Sequence, residues 1–451
     1  MLVALAANPR IRRLVHETVG GLPRQFWWLW VSTLVNKLGA FVITFLALYL
    51  TTTRGYSASY AGLVASLFGL GAAIAALGGG VLADRIGRRP TLVAAQLGTA
   101  LSTAVLGFVD GQVAIAAVAF LVGLFNNASR PAVSAIIADI VPAEDRVRAY
   151  SLNFWAINIG FGLSAAVAGL IATQGYLTLF LLDALSTLIC AVVIFVRIPE
   201  TRPDRGSEPA RNADGPAIGL GTVFRDGPFM TVVGLNLLLA LIYQQSSTTL
   251  PVHMGAAGIT STEYGLVIGL NGILIVVLQI PLTRWMEGRS RTGLLIASCL
   301  LTGWGFGLAA LAGSSAWLFA LSVAVWTVGE VLNAPTMMGL VAELSPARAR
   351  GRYQGVYSLS WSLALFLGPG IGGVVLEHAG PGVLWSACGV IGTLAALGHV
   401  LLGRRARAAA AARTGAVTAV GTTVETVPAM TDAAATVAAE PVRPDRAPAQ
   451  A

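Results

Sequence analysis

Apolar residues fill most of this chain in blocks, and short polar stretches separate them. A helix that spans a bilayer needs about 20 mostly apolar residues. Twelve blocks meet that length approximately, at 26–50, 60–83, 91–109, 113–140, 150–173 and 177–197, then at 229–250, 264–286, 293–312, 316–342, 353–376 and 382–402. Between the two sets lies RIPETRPDRGSEPARNADGPAIG, residues 197–219, rich in Pro, Arg, Asp and Glu, which reads as a solvated linker. The pattern predicts an all-α membrane protein whose twelve transmembrane helices form two six-helix halves. The expected segments are an amino-terminal stretch (1–25), a first bundle (26–197), a linker (198–228), a second bundle (229–403) and a tail (404–451). The tail is mostly Ala, Thr, Val and Pro with little bulky apolar content, and is expected to be disordered.

Composition agrees with that pattern. The chain has 451 residues, 55% hydrophobic and only 11% charged, with a mean hydropathy of +0.74. Soluble domains carry roughly a quarter charged residues, so most of this surface is expected to face lipid. The net charge of +8 would suit nucleic acid, but the basic residues cluster in short segments between apolar runs, which excludes that reading. Lys37 is the only lysine.

Arginines occupy the amino terminus, Arg85/Arg88/Arg89, Arg146/Arg148, the linker, Arg284/Arg289/Arg291, Arg348/Arg350/Arg352 and Arg404/Arg405/Arg407. The alternate loops carry almost none, Arg54 being the exception. Positive charge marks the cytoplasmic side, so both termini and the linker are expected inside a multi-pass plasma (inner) membrane protein. The basic amino terminus precedes an apolar run too long for a signal peptide, and the first span is expected to be retained. Cys190, Cys299 and Cys388 sit inside apolar runs in no metal-ligand spacing.

The halves repeat. ADIVPAEDRVRAY (138–150) matches AELSPARARGRYQ (342–354), setting Asp139 on Glu343, Pro142 on Pro346, Arg146 on Arg350 and Arg148 on Arg352, with Pro131 on Pro335. Each half has an even number of helices, so the copies run in the same direction, as parallel repeats do.

The turn after the second helix, GGGVLADRIGRRP (78–90), packs four charges into six positions. Gly80, Asp84, Arg85, Gly87, Arg88 and Arg89 resemble the loop signature of the major facilitator superfamily. The resemblance covers about residues 25–403. It implies two pseudo-symmetric six-helix bundles that rock around a central cavity. Gly87 permits a tight turn. Asp84 is expected to face the amino end of the eleventh helix, an interaction worth about 0.3–2 kcal/mol, and to latch the cytoplasmic side. The arginines either share in that device or only fix topology. The second half holds a degraded copy, PLTRWMEGRSR, with Trp285 in place of the aspartate, Glu287 displaced by two positions, and Gly288 and Arg289 retained.

Charges in mid-membrane cost at least ~2.5–3.5 kcal/mol on insertion scales and face a cavity or a partner. Lys37 falls in the first helix, Arg130 in the fourth, Asp183 in the sixth and Glu330 in the tenth. The family fold lines its cavity with the first and fourth helices of each half, so the resemblance places Lys37, Arg130 and Glu330 there and Asp183 outside. Trp326, Glu330 and Asn333 share one helix face, as do Asn126 and Arg130. Asn36, Asn158, Asn236, Tyr243 and Gln244 complete the candidate substrate and proton pathway. Glu330 is the candidate protonatable group, since a carboxyl in such a cavity can take up and release protons as access alternates. Lys37 or Arg130 is a candidate to pair with it or to bind an anionic substrate; a fixed ion pair that orders the bundle is the alternative. GPGIGG (368–373) resembles the glycine-proline signature that drug–proton antiporters carry in helix five, where this chain has Ser164 and Ala165. Gly and Pro serving only packing and a kink is the competing reading.

The expected function is secondary active transport, proton-coupled efflux of small amphipathic compounds by alternating access, resembling the multidrug antiporter branch. A metabolite or sugar symporter or uniporter of the same fold is the alternative. The expected partners are a small-molecule substrate, protons and the lipid bilayer, and a monomer suffices. The sequence contains no nucleotide loop, metal cluster or nucleophile–base pair, and its four histidines (His16, His253, His378, His399) are scattered. No enzyme activity, cofactor, metal or nucleic-acid partner is expected.

Overall fold

The computed structural model describes residues 20–200, 220–346 and 349–424. They are almost wholly helical. The first crossing is Arg24–Leu38 followed by Phe41–Leu48 and a π turn, Tyr49–Thr53. Next come Ala58–Ile86, Arg88–Leu106, Gln112–Ile140, Arg146–Ala172 and Tyr176–Arg197. The second half opens with a short helix, Leu220–Arg225, inside the expected linker. Its seventh crossing runs as Gly227–Tyr243, a 3-10 turn Gln244–Ser247 and Thr249–Ala256; Ser261–Met286, Arg291–Gly307 with its 3-10 extension to Leu311, and Ala316–Leu344 follow.

The last helix, Arg350–Val424, is broken at Gly380, whose φ of 82° and ψ of 168° are not helical. That position suits glycine because a Cβ disfavours positive φ. It divides the eleventh crossing from the twelfth.

Ten helices among the described residues are long and apolar enough to cross a membrane, and one of them, Arg352–Arg405, contains both crossings around Gly380. Arg88–Leu106 falls short in apolarity because Thr91, Gln96, Thr99, Ser102 and Thr103 line a face that is buried within the bundle. It has 19 residues, about the spanning length, and it completes the twelve. Residues 404–424, expected to be disordered, continue the last helix; 425–451 lie outside the described residues.

The first half starts its third, fourth and sixth crossings after Gly87, Gly111 and Gly175, all at positive φ. The second half caps with side chains instead. Asp226 accepts from Phe229 N, Ser290 from Gly293 N and Ser315 from Leu318 N, and Thr260 with Glu263 forms a capping box.

The apolar core changes character along the helices. At the arginine-poor end it is continuous across both bundles, with Phe41–Leu50 of the first half packed among Tyr264, Phe306 and Phe319 of the second. At the arginine-bearing end it splits. One cluster, with Phe26, Leu92 and Ile136, belongs to the first bundle, and another, with Phe229, Leu295 and Tyr353, to the second.

Two seams of close backbone approach hold the shared end. A Cβ on Gly62 would stand 2.4 Å from the Pro369 carbonyl oxygen, and one on Gly272 would stand 2.6 Å from Gly162 Cα. Small residues are what permit such contact between membrane helices. Polar contacts reinforce the seams. Ser59 N–H donates to Glu377 Oε2 (2.7 Å), the Tyr264 hydroxyl to the Thr44 carbonyl (2.9 Å) and the Thr262 hydroxyl to the Gly169 carbonyl (3.1 Å).

Among the described residues, the ion pairs at the arginine-bearing end stay within a bundle: Arg88 with Asp139, Arg148 with Asp145, and Arg291 with Glu343. Toward that end a Cβ added at Gly339 or Gly355 would meet nothing within 4 Å. Arg54, the one arginine expected at the opposite end, pairs with Asp110. That hydrogen bond holds its guanidinium pKa above the ordinary value, so the exception arrives with its own counter-charge.

Candidate functional site

The first crossing unwinds in its middle. A Cβ on Gly39 would lie 1.8 Å from Ser186 Oγ, so only glycine lets the first and sixth crossings approach this closely. Unwinding leaves backbone N–H groups at the start of Phe41–Leu48 without helical acceptors. Asp183, buried in the sixth crossing, supplies one: its Oδ2 accepts from Val42 N–H at 3.1 Å. The sequence reading put Asp183 outside the cavity, as a charge that orders the bundle, and here it caps the second segment of this broken helix.

Lys37 sits in the last turn before the break, where a cation complements the carboxyl end of the helix dipole. It is half-buried. Arg130 is exposed although it stands in the middle of the fourth crossing. Neither cation has a hydrogen bond or ion pair among the described residues. Asn36, expected in the pathway, turns into the first bundle and donates to Gln96 Oε1 and Thr187 Oγ1, both at 3.3 Å. Asn126 is half-buried, and Asn158 donates to the Phe154 carbonyl one turn away.

The second bundle has a different chemistry. Glu330 Oε2 accepts from Asn271 Nδ2 at 3.0 Å, and the same nitrogen reaches Thr327 Oγ1 at 3.0 Å. No ion pair joins Glu330 to Lys37 or Arg130 among the described residues, so the expected cross-bundle pairing is absent from this conformation. Tyr243 bonds to Thr302 Oγ1 (3.1 Å) and stacks on Trp361 at 5.9 Å between ring centroids. Trp326 stacks on Phe306 at 5.0 Å. Asn236 is buried and donates to Ser360 Oγ at 2.7 Å. Gln244 is half-buried against Gly368. Among the described residues, two buried polar atoms of the tenth crossing, Trp326 Nε1 and Asn333 Oδ1, have no hydrogen-bond partner.

Sequence reasoning missed Asn271 and Trp361. The signal for Asn271 was an amide set in the apolar run of the eighth crossing. The GPGIGG stretch resolves toward packing, since added Cβ atoms at Gly370, Gly372 and Gly373 would meet Ser66, Gln245 and Ala58 within 2.9 Å. The sequence places His253 just past the seventh apolar block. It lies on Thr249–Ala256 and accepts from Trp385 Nε1 at 3.0 Å.

At the turn 84–89, Gly87 adopts φ 108° and starts the third crossing. Glu200, just past the sixth crossing, accepts from Arg88 N–H (2.9 Å) and Arg89 N–H (3.2 Å). The Arg89 guanidinium lies 4.7 Å from the Phe195 ring centroid and bonds the Phe195 carbonyl. Both arginines therefore make specific contacts beyond fixing topology. Arg85 is exposed. Gly80 lies within Ala58–Ile86, and the side chain of Asp84 lies outside the described residues, and with it the expected Asp84 latch.

Twelve crossings in two bundles, joined at one end and separate at the other around polar mid-helix groups, define a polytopic membrane transporter. The chain belongs to the Major Facilitator Superfamily, whose family model matches residues 29–286 and 246–439. It is 26% identical over 388 residues to the multidrug resistance protein MdtH of Salmonella arizonae, covering 82% of this chain and 92% of that one. It is 23% identical over 320 residues to a Na(+), Li(+), K(+)/H(+) antiporter of Planococcus maritimus, covering 64% and 75%. Among solved structures, the nucleoside transporter NupG matches with a TM-score of 0.72 at 14% identity, over 84% of this chain and 100% of that one. The protein is a secondary transporter, and the fold is that of its family.

Proposed function

We propose that this protein exports small amphipathic compounds in exchange for protons, with the bundles 26–197 and 229–403 rocking about the polar centre. The observation that carries this reading is Glu330. It stands in mid-membrane with one oxygen bonded to Asn271 and, among the described residues, no ion pair, one turn from Trp326, whose ring meets that of Tyr243, which in turn stacks on Trp361. An unpaired carboxyl in such a place is costly unless it exchanges protons with water. The aromatic faces offer apolar contact without dense hydrogen-bonding specificity. The name of the MdtH relative supports the substrate class, and the antiporter relative supports proton exchange.

The split core at the arginine-bearing end and the shared core at the other describe a conformation open toward the arginines. By the positive-inside rule that side is cytoplasmic, with both termini there, and the membrane is the plasma (inner) membrane. An exporter loads its cargo in this state. The deciding experiment is reconstitution in vesicles with an imposed pH gradient and a panel of dyes, antibiotics and sugars. Gradient-driven accumulation of amphipathic dyes is expected. Gradient-driven sugar uptake without dye movement would overturn the reading.

A further inference from the structure

We propose that Asn271 is a positioning residue that ties the charge of Glu330 to closure of the outer seam between the bundles. It holds the carboxylate while the eighth crossing is packed on the fifth, and releases it once the acid is protonated. The proposal rests on the export reading above and names how its proton site reaches the moving parts.

The eighth crossing, Ser261–Met286, touches both bundles. Gly265, Gly269 and Gly272, four and three residues apart, share one face of that helix. The face meets the fifth crossing. An added Cβ would stand 2.4 Å from the Ala165 carbonyl oxygen at Gly265, 2.9 Å from the Gly162 carbonyl oxygen at Gly269 and 2.6 Å from Gly162 Cα at Gly272. Asn271, next to the last of these, is buried and bonds to the tenth crossing, where its Nδ2 donates to Glu330 Oε2 and to Thr327 Oγ1, both at 3.0 Å. Neighbouring residues of one helix thus make the seam and hold the carboxyl.

Thr327 fixes which end of the amide faces Glu330. Its hydroxyl donates to the Val323 carbonyl at 2.6 Å, so toward Asn271 its oxygen can only accept. The amide therefore presents its NH2 group, which gives hydrogen bonds and takes none. A carboxylate suits that neighbour, since a bond to a charged oxygen is about twice as strong as a neutral one. Protonation of Glu330 weakens the bond, and the new O–H finds no acceptor on that nitrogen. The seventh, eighth and ninth crossings pack on the tenth. Their Glu263, Tyr264, His253, Arg284 and Arg291 stand toward helix ends, and Tyr243 and Cys299 are the titratable groups between. None of these supplies a charge that could take over the amide's task.

The seam admits no Cβ, so the eighth crossing fits it in one rotational setting, and Asn271 fixes that setting. Loss of the bond frees the helix to turn. A turn brings a larger neighbour such as Ile273 toward the fifth crossing and parts the seam. A closed seam therefore favours the carboxylate, whose proton leaves toward the cytoplasm. A parted seam favours the acid, which takes its proton from outside. That order is the one proton exchange for export demands.

The test reads the seam without any cargo. Ala172, buried one turn outward of Gly169 on the fifth crossing, is changed to cysteine in the full chain and labelled in lipid nanodiscs with a charged maleimide. Cys190, Cys299 and Cys388 are buried, and their background is measured without the added cysteine. Asn271→Leu is expected to speed labelling at least about fivefold, and Glu330→Gln, which leaves a neutral bond, at least about threefold. The double variant is expected to match the faster single one, because both substitutions act on one bond. Unchanged labelling in either single variant, or effects that multiply in the double, overturns the proposal. Glu330→Gln keeps Asn271 and reports on the same bond, so a folding defect peculiar to Asn271→Leu still leaves an answer. Gradient-driven dye export with unresponsive labelling would sink this proposal alone. Coupled labelling in a protein that moves no amphiphile in a pH gradient would sink the export reading alone.

Discussion

The fourth crossing of the first half and its repeat, the tenth, are the same device at their ends and opposite devices in their middles. The repeat that sets Asp139 on Glu343 sets Pro131 on Pro335 and Asn126 on Glu330. At the arginine-bearing end each carboxylate pairs with an arginine at the start of the preceding crossing, Asp139 with Arg88 and Glu343 with Arg291. Near the centre the first half has Arg130 beside an amide, and the second has Glu330 facing Ala334 at the position matching that arginine. The helix-to-helix framework is duplicated, whereas the polar groups in mid-helix have diverged. Framework contacts tolerate duplication because each half must close its own end. A transporter that handles a proton and a substrate separately gains from two unlike centres.

The same offset brings Gly39 onto Tyr243, and both first helices of the halves break there. In the first half the break spans Gly39 and Ala40 and is capped from the sixth crossing by Asp183. In the second it is the turn Gln244–Ser247, where Gln245 Nε2 donates to the Leu241 (2.9 Å) and Gly368 (3.0 Å) carbonyls. One break is tied by a charge within its own bundle, the other by an amide to the eleventh crossing.

The largest expected effect separates the two centres. Glu330→Gln retains an oxygen that can accept from Asn271, so the fold persists. Proton-driven accumulation is expected to be abolished while substrate counterflow, which needs no net proton movement, survives. Placing the carboxyl in the other copy with Asn126→Glu in the Glu330→Gln background is expected not to restore coupling, because Asn126 has no amide partner like Asn271. Full gradient-driven transport in Glu330→Gln vesicles would show that the halves do not differ in the way proposed.

Much of this was legible in the chain. The twelve apolar blocks match the observed crossings closely, because spanning length and arginine placement are set by the bilayer rather than by tertiary detail. The breaks were not legible. Gly39 reads as one more glycine in an apolar run, and what makes it a break is Ser186, a residue 147 positions later that leaves no room for a Cβ. Asp183 was visible as a charge, but its acceptor role depends on backbone groups that only the break exposes. Trp361 lay outside the candidate pathway because its partner Tyr243 sits on another helix, and stacking leaves no periodic trace. Lys37 and Arg130 were read residue by residue, and only the fold shows that neither forms an ion pair with Glu330 among the described residues.

The next effect concerns the two breaks. Asp183→Ala leaves the buried Val42 N–H without its acceptor, a loss of about 1–3 kcal/mol. Asp183→Asn keeps an oxygen in place and is expected to cost less. Gln245→Ala removes neutral bonds to two carbonyls, worth about 0.5–1.5 kcal/mol each, and loosens the link to the eleventh crossing. Thermal unfolding in detergent ranks the three variants. Equal midpoints for Asp183→Ala and Asp183→Asn would show that the carboxylate does not hold the break.

The smallest effect belongs to the duplicated ion pairs, and it tests whether the two ends are equally framed. Arg291 and Glu343 are 46% and 65% exposed in their side chains, Arg88 and Asp139 only 12% and 27%. Exposed pairs contribute about 0.2–1 kcal/mol and are weakened by salt. Removing the Arg291 side chain with Arg291→Ala is therefore expected to lower stability by no more than that, with the difference vanishing at about 1 M salt, where the screening length falls to about 3 Å. Arg88→Ala takes the partner from a less exposed aspartate, so a larger loss that persists at high salt is expected. The bonds from Arg88 and Arg89 N–H to Glu200 are backbone bonds and survive the substitution, so the start of the third crossing keeps its cap. Matched salt-sensitive losses in both variants would mean that the first half gains nothing from its tighter corner, and the asymmetry between the halves would then be confined to their centres.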